Sequence, residues 1–150
     1  MDSRGPGSSL IVVDASIAVA WILPEDQTQA AVSLLESRHE LVAVDLIKVE
    51  VFSAVLKAIR VKRLTPNHAA SAIAQFGRTS VKTQQAAGFV PEAFAIAQRH
   101  GGSVYDACYI ALARSLDAPL ATDDEGMAKI AEAVGVTVHR ASQGFAGLLD

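Results

Sequence analysis

Asp14 ends the apolar run Leu10-Ile11-Val12-Val13 and is followed at once by apolar residues at helical spacing. Asp123 and Asp124, in LATDDEG, follow a second apolar run in the same way. Glu50 lies within DLIKVEVFSAVLKAIRVKR, and Asp106 opens SVYDACYIALA. Each acid alone has an ordinary structural use. Asp14 suits a helix N-cap. Ser103-x-x-Asp106 and Thr122-x-x-Glu125 both match a capping box. Glu50 shares a helical stripe with Ser53, Lys57 and Arg60, the pattern of a solvated surface. Gathered in one place, the same acids would repel one another and raise one another's pKa. Such a cluster costs stability unless a positive charge occupies its centre. An all-oxygen donor set suits a hard divalent cation, Mg²⁺ or Mn²⁺. An ion of that kind turns bound water into hydroxide and neutralises charge developing on a phosphoryl oxygen.

Whether the acids meet depends on the elements that carry them. Strand-like runs are predicted at residues 10–13, 41–44, 120–121 and 136–138, with a weaker fifth at 81–83. Between them, helical spacing marks 16–23, 26–38, 46–62, 66–77, 91–99, 103–116 and 125–133. Pro24, Pro66 and Pro91 sit where these helices end or begin, and Gly135 stops the last. Strands alternating with helices imply βαβ units. The expected fold is therefore α/β: a doubly wound three-layer α/β/α domain whose mostly parallel sheet has four or five strands. In such a fold, ligands bind beyond the carboxyl ends of the strands. Asp14 and the Asp123-Asp124 pair follow two of those ends.

The whole chain sets further bounds. With 150 residues, 51% of them hydrophobic, it suits one domain over residues 10–150, preceded by a short flexible lead-in at 1–9. Its one cysteine, Cys108, cannot form an internal disulfide and reads as a small buried hydrophobe. No apolar run is long enough to cross a bilayer, and the first residues lack a signal-peptide pattern. The expected location is cytoplasmic, with no membrane partner. A net charge of −3 requires any nucleic-acid contact to use a local basic patch. The segment KAIRVKR supplies one, and its Lys57 and Arg60 lie on the Glu50 stripe. The same cations also suit a helix C-terminus. Tyr105 and Tyr109 flank Asp106 and are expected to pack against a neighbouring helix rather than to stack on a base. Trp21 is expected in the core or a dimer interface. The four histidines show no ligand spacing.

Taken together, IVVDASIAVAWILPE, DLIKVEVFSAVLKA, SVYDACYIALA and LATDDEG resemble the PIN-domain ribonucleases, in particular the VapC-type toxins of type II toxin–antitoxin pairs. The resemblance spans nearly the full length. It implies a catalytic quartet of Asp14, Glu50, Asp106 and Asp124, with Asp14, Asp106 and Asp124 as metal ligands. Thr122 supplies the family's Thr-x-Asp pattern, which selects Asp124 over Asp123. Ser16, Thr122 and Asp123 are implied as supporting residues around the ligands. Two positions depart from the pattern: Val44-Asp45 stands where many relatives carry a proline, and Ser53 where many carry an asparagine.

The implied activity is Mg²⁺-dependent endoribonuclease cleavage, with Mn²⁺ as an alternative ion, of single-stranded or looped RNA. Glu50 would complete the site or take a proton from the attacking water, and Lys57 and Arg60 would meet the RNA backbone. The implied partners are an RNA substrate, a cognate VapB-type antitoxin and a second copy in a homodimer. Two competing readings remain at this level. One is a catalytically silent domain that binds RNA or protein. The other is an aspartate-based phosphotransferase, although Asp14-Ala15-Ser16 lacks the second aspartate such enzymes place two residues on.

Overall fold

The computed structural model describes residues 9–149. Residues 1–8 of the expected lead-in lie outside the described residues. Five strands, β1 (Leu10–Val13), β2 (Glu40–Val44), β3 (Lys82–Gln84), β4 (Leu120–Thr122) and β5 (Val138–Arg140), form one sheet in the order β3-β2-β1-β4-β5. Every pairing is parallel. Seven helices connect them: α1 (Ala15–Ile22), α2 (Thr28–Leu35), α3 (Leu46–Arg60), α4 (Pro66–Gly77), α5 (Val90–His100), α6 (Val104–Leu116) and α7 (Glu125–Ala133).

Strand order and handedness assign the layers. From β1 the chain moves outward through β2 to β3, then jumps back to β4 and continues to β5. Right-handed crossovers put helices from the first direction on one face and helices from the second on the other. The packing follows this rule. Helix α1 packs against α2, α3 and α4, whereas α6 packs against α5 and α7 and lies along β1, β2 and β4. The reversal falls between β1 and β4, which makes their carboxyl ends the switch point where doubly wound sheets open a crevice.

The central strands are continuous apolar runs because both their faces are covered. Ile11, Val12, Val13 and Leu120 are fully buried beside Ile17, Ile110 and Leu112. Each such side chain contributes roughly 1.5–3 kcal/mol on leaving water. Trp21 is also core, and its indole N–H donates to the Ala31 carbonyl at 2.7 Å. Cys108 is buried.

Three elements differ from the sequence expectation. The last strand is Val138–Arg140 rather than 136–138. Val136 instead completes a Schellman cap on α7: its N–H donates to Ala131 O, and that of Gly135, at φ +87°, to Glu132 O. Helix α2 is shorter than 26–38 because the Thr28 hydroxyl is engaged in the preceding turn, accepting from Glu25 N and donating to Leu23 O. Thr122 does not cap α7; Asp124 does.

Candidate active site

Asp14 is the N-cap of α1 and, with Thr122, one of two buried polar residues among those described. Its carboxylate accepts from Ser16 Oγ at 2.6 Å, Thr122 Oγ1 at 2.7 Å and, more weakly, Ile17 N at 3.4 Å. Both hydroxyls also accept. Ser16 Oγ takes the Asp123 N–H at 3.0 Å, and Thr122 Oγ1 takes the Asp124 N–H at 2.9 Å. Two short side chains therefore rivet the end of β1 to the end of β4. Burial pushes the Asp14 pKa up to about 7, against the pull of its hydrogen bonds, and the Asp124 charge adds to the rise.

Asp124 caps α7, its Oδ1 accepting from Met127 N at 3.0 Å. Gly126 leaves that carboxylate room, since a Cβ there would stand 3.3 Å from Asp124 Oδ1. Asp106 lies in the first turn of α6, whose cap Ser103 accepts from Asp106 N at 3.0 Å. Its pKa is raised by burial and by the Asp124 charge. Glu50 is half-buried on α3, and burial and the Asp106 charge raise its pKa. The four acids thus form a chain of mutual repulsion, Asp14 to Asp124 to Asp106 to Glu50, and no lysine or arginine contributes to the shift of any of the three that are perturbed. Asp14, Asp106 and Asp124 all stand at helix N-termini, whose dipoles offset part of that repulsion.

Tyr109 was expected only to pack. It is fully buried, and its hydroxyl donates to Glu50 Oε1 at 2.7 Å. Its three-residue spacing from Asp106 was the available signal, because that spacing puts both on one face of α6. Tyr105, by contrast, is exposed. Asp123 is exposed as well, and after burial the charges of Glu25 and Asp26, in the loop after α1, are the next causes of its raised pKa. Asp45 ties the start of α3 to the turn after β3 by accepting from Ala86 N at 3.0 Å. Ser53 lies on the exposed face of α3. Lys57 and Arg60 are exposed on α3 about 10 and 15 Å along the axis from Glu50. Arg63 reaches back to the loop after α1, to Pro24 O at 3.2 Å and Glu25 at 3.8 Å.

Among the described residues, no group of three or more His, Cys, Asp or Glu side chains is placed to hold a metal ion by itself. The donor set is nevertheless all oxygen, acidic and without a compensating cation. It suits a hard divalent cation whose shell is completed by water better than an ion that needs a full protein cage.

Comparison with known proteins agrees with this architecture. Residues 11–133 match the family model of the PIN domain. Ribonuclease VapC3 of Pyrobaculum aerophilum is 32% identical over 121 residues, covering 79% of this chain and 92% of that protein. Among solved structures, PAE2754 of Pyrobaculum aerophilum superposes with a TM-score of 0.70 at 20% identity, over 93% of this chain and 89% of that one. The sarcin-ricin loop cleaving toxin VapC20 of Mycobacterium tuberculosis gives 0.63 at 20% identity, over 85% of this chain and 96% of that one. VapBC2 of Rickettsia felis, bound to a DNA fragment from its promoter, gives 0.63 at 14% identity, over 87% and 98%. Matched over most of its length by the family model and by a curated relative, the chain belongs to the PIN-domain family, among its VapC-type members.

Proposed function

We propose that this protein is a divalent-metal-dependent endoribonuclease and the toxin of a VapBC-type pair. The observation that carries the reading is the uncompensated line of acids at the switch point, begun by a carboxylate buried just past the end of the central strand. The relative named as a ribonuclease supports RNA as the substrate.

Asp14, Asp106 and Asp124 would hold the ion, Mg²⁺ or Mn²⁺, with water completing the shell. When bound, the ion supplies Lewis-acid activation of water and neutralises charge on the phosphodiester. Ser16 and Thr122 orient Asp14 by donating to both its oxygens, which leaves the carboxylate a single rotamer. Glu50 accepts the proton of the attacking water; one of its oxygens is held by Tyr109, and no protein donor to the other is found among the described residues. Lys57 and Arg60 contact the RNA backbone along α3, and their weight is electrostatic and independent of sequence.

Two protein partners belong to the reading, a second copy and a VapB-type antitoxin. The exposed side chains Val49, Phe52 and Leu56 support a protein contact on α3, where they line a cavity of about 540 Å³ with Ile59 and Ile73. The absence of a helix long and apolar enough to cross a membrane, among the described residues, accords with a cytoplasmic site of action.

The test is incubation of the purified protein with total RNA, with and without a chelator, followed by mapping of new ends. Discrete cuts that vanish with chelator and return with Mg²⁺ or Mn²⁺ are expected. RNA left whole under every ion condition would instead favour a silent RNA- or protein-binding domain. Cleavage indifferent to chelation would remove the metal from the mechanism.

A further inference from the structure

We propose that Tyr109 is a positioning residue for Glu50, fixing its carboxylate as the proton acceptor of the reaction through a hydroxyl buried among the acids. This role rests on the ribonuclease reading above and deepens it.

Three observations converge. The Tyr109 side chain is fully buried, while its hydroxyl donates to Glu50 Oε1 at 2.7 Å, across 59 positions of sequence. That bond joins α6, which carries Asp106, to α3, which carries Glu50. Among the described residues it is the one hydrogen bond found to the Glu50 side chain, and no ion pair reaches it. Glu50 is a long side chain with several rotamers and a negative neighbour in Asp106. Left alone it would swing toward solvent, since repulsion and hydration both favour that direction.

The chemistry of the donor also matters. A lysine or arginine at this position would neutralise the cluster and compete with a bound cation. A phenol donates one hydrogen bond and brings no charge. The charges of Glu50, Asp14 and Asp106 all oppose its ionisation, and burial does so most strongly, so the hydroxyl remains a donor across the working pH range. With Oε1 held, Glu50 presents Oε2 to a water molecule. The proton passes from that water to Glu50 as the water oxygen bonds to phosphorus; the opposite P–O bond to the bridging ribose oxygen breaks, and the departing oxygen takes a proton from solvent. Tyr109 neither gains nor loses a proton.

The experiment compares Tyr109→Phe with the parent in steady-state cleavage of a single-stranded RNA under saturating Mg²⁺. The ring that fills the core is retained and only the hydroxyl is lost. We expect kcat to fall roughly 10- to 100-fold, in the range seen when a supporting hydrogen bond is removed from a metal site, with KM for RNA unchanged. In a Glu50→Gln background the same substitution should cost nothing further, because the group it positions no longer accepts a proton. A merely structural tyrosine would give additive losses in the two backgrounds, and that outcome would overturn the proposal. So would an unchanged kcat, or a rise in KM alone. If Tyr109→Phe fails to fold, the hydroxyl proton of Tyr109 in the parent, observed by NMR, takes its place: a slowly exchanging signal that moves on Glu50→Gln supports the bond, and rapid exchange with no such movement overturns it. A parent that cuts RNA while Tyr109→Phe cuts equally fast sinks only this role. A parent that leaves RNA whole sinks the ribonuclease reading and the role with it.

Discussion

Thr122 and Asp14 stand 108 positions apart in the chain, yet Thr122 Oγ1 donates to Asp14 Oδ2 at 2.7 Å where the neighbouring strands β1 and β4 end. Ser16 makes the matching bond to the other oxygen. Both hydroxyls then accept a backbone N–H from the residues that follow β4. The arrangement saturates the donors around a buried carboxylate without introducing a positive charge, so the site keeps its negative potential at some cost in stability.

Asp14→Asn is expected to reduce RNA cleavage to the assay background and leave the fold intact, as judged by circular dichroism. It removes a charge that the interior disfavours, so the metal-free variant should melt above the metal-free parent at pH 8. Equal cleavage by the two proteins would contradict the assignment.

The pH dependence follows from the same carboxylate. Its folded-state pKa of about 7 lies above the ordinary value of 3.8, so the folded state binds the proton more tightly than the unfolded chain. Metal-free stability should therefore fall as pH rises from about 4 toward 7, by roughly 4 kcal/mol from this group. Glu50, Asp106 and Asp123, also raised, act in the same direction. Glu125 and Glu132 act oppositely: Arg140 holds both below the usual range, so their contribution is lost as pH falls below that range. A metal-free optimum on the acid side of neutrality should appear in thermal melts. Added Mg²⁺ should raise the melting temperature more at pH 8 than at pH 5, because protons compete for the same oxygens.

Asp124 caps α7, and the metal-ligand role proposed for it can be separated from the cap by substitution. Asp124→Ala should lose about 1 kcal/mol of stability with the α7 cap, as well as the activity. Asp124→Ser keeps a capping oxygen and should stay within about 0.5 kcal/mol of the parent while remaining inactive. Chemical denaturation beside cleavage assays distinguishes the two; an active serine variant would remove Asp124 from the metal centre.

Lys57 and Arg60 should set part of the salt dependence of RNA binding. Replacing both by alanine should flatten the slope of log K against log salt by about 1.4, two single-strand contacts' worth, with little change in stability. Fluorescence anisotropy over a salt series reads this directly, and an unchanged slope would place the RNA elsewhere.

Much of the fold was legible because its punctuation is local. The limits of α4 follow from Thr65 as cap, Pro66 at the first position and Gly77 at the end, and α7 stops at a glycine in the left-handed region. Strand alternation with helices sufficed for the parallel sheet. What escaped depends on long-range contact. Val136 looked like strand, but α7 needed it as a cap. The tail gave no periodic signal, yet it buries Phe145 completely, with Leu148 beside it, at the edge of the core. At the site, positions at strand ends and helix starts offered the acids as candidates, and the family resemblance chose Asp124 over Asp123. The Tyr109–Glu50 bond could not be named, because it depends on how α3 and α6 lie across the sheet from each other's sequence neighbourhoods.

The reversal of strand order between β1 and β4 has a further consequence for biosynthesis. A ribosome that stalls or terminates before Thr122 releases a polypeptide whose Asp14 has neither that hydroxyl nor the acid of Asp124 beside it. On the proposed reading, such a product would lack one member of the acidic line, and RNA cleavage would require translation past the codon for Asp124.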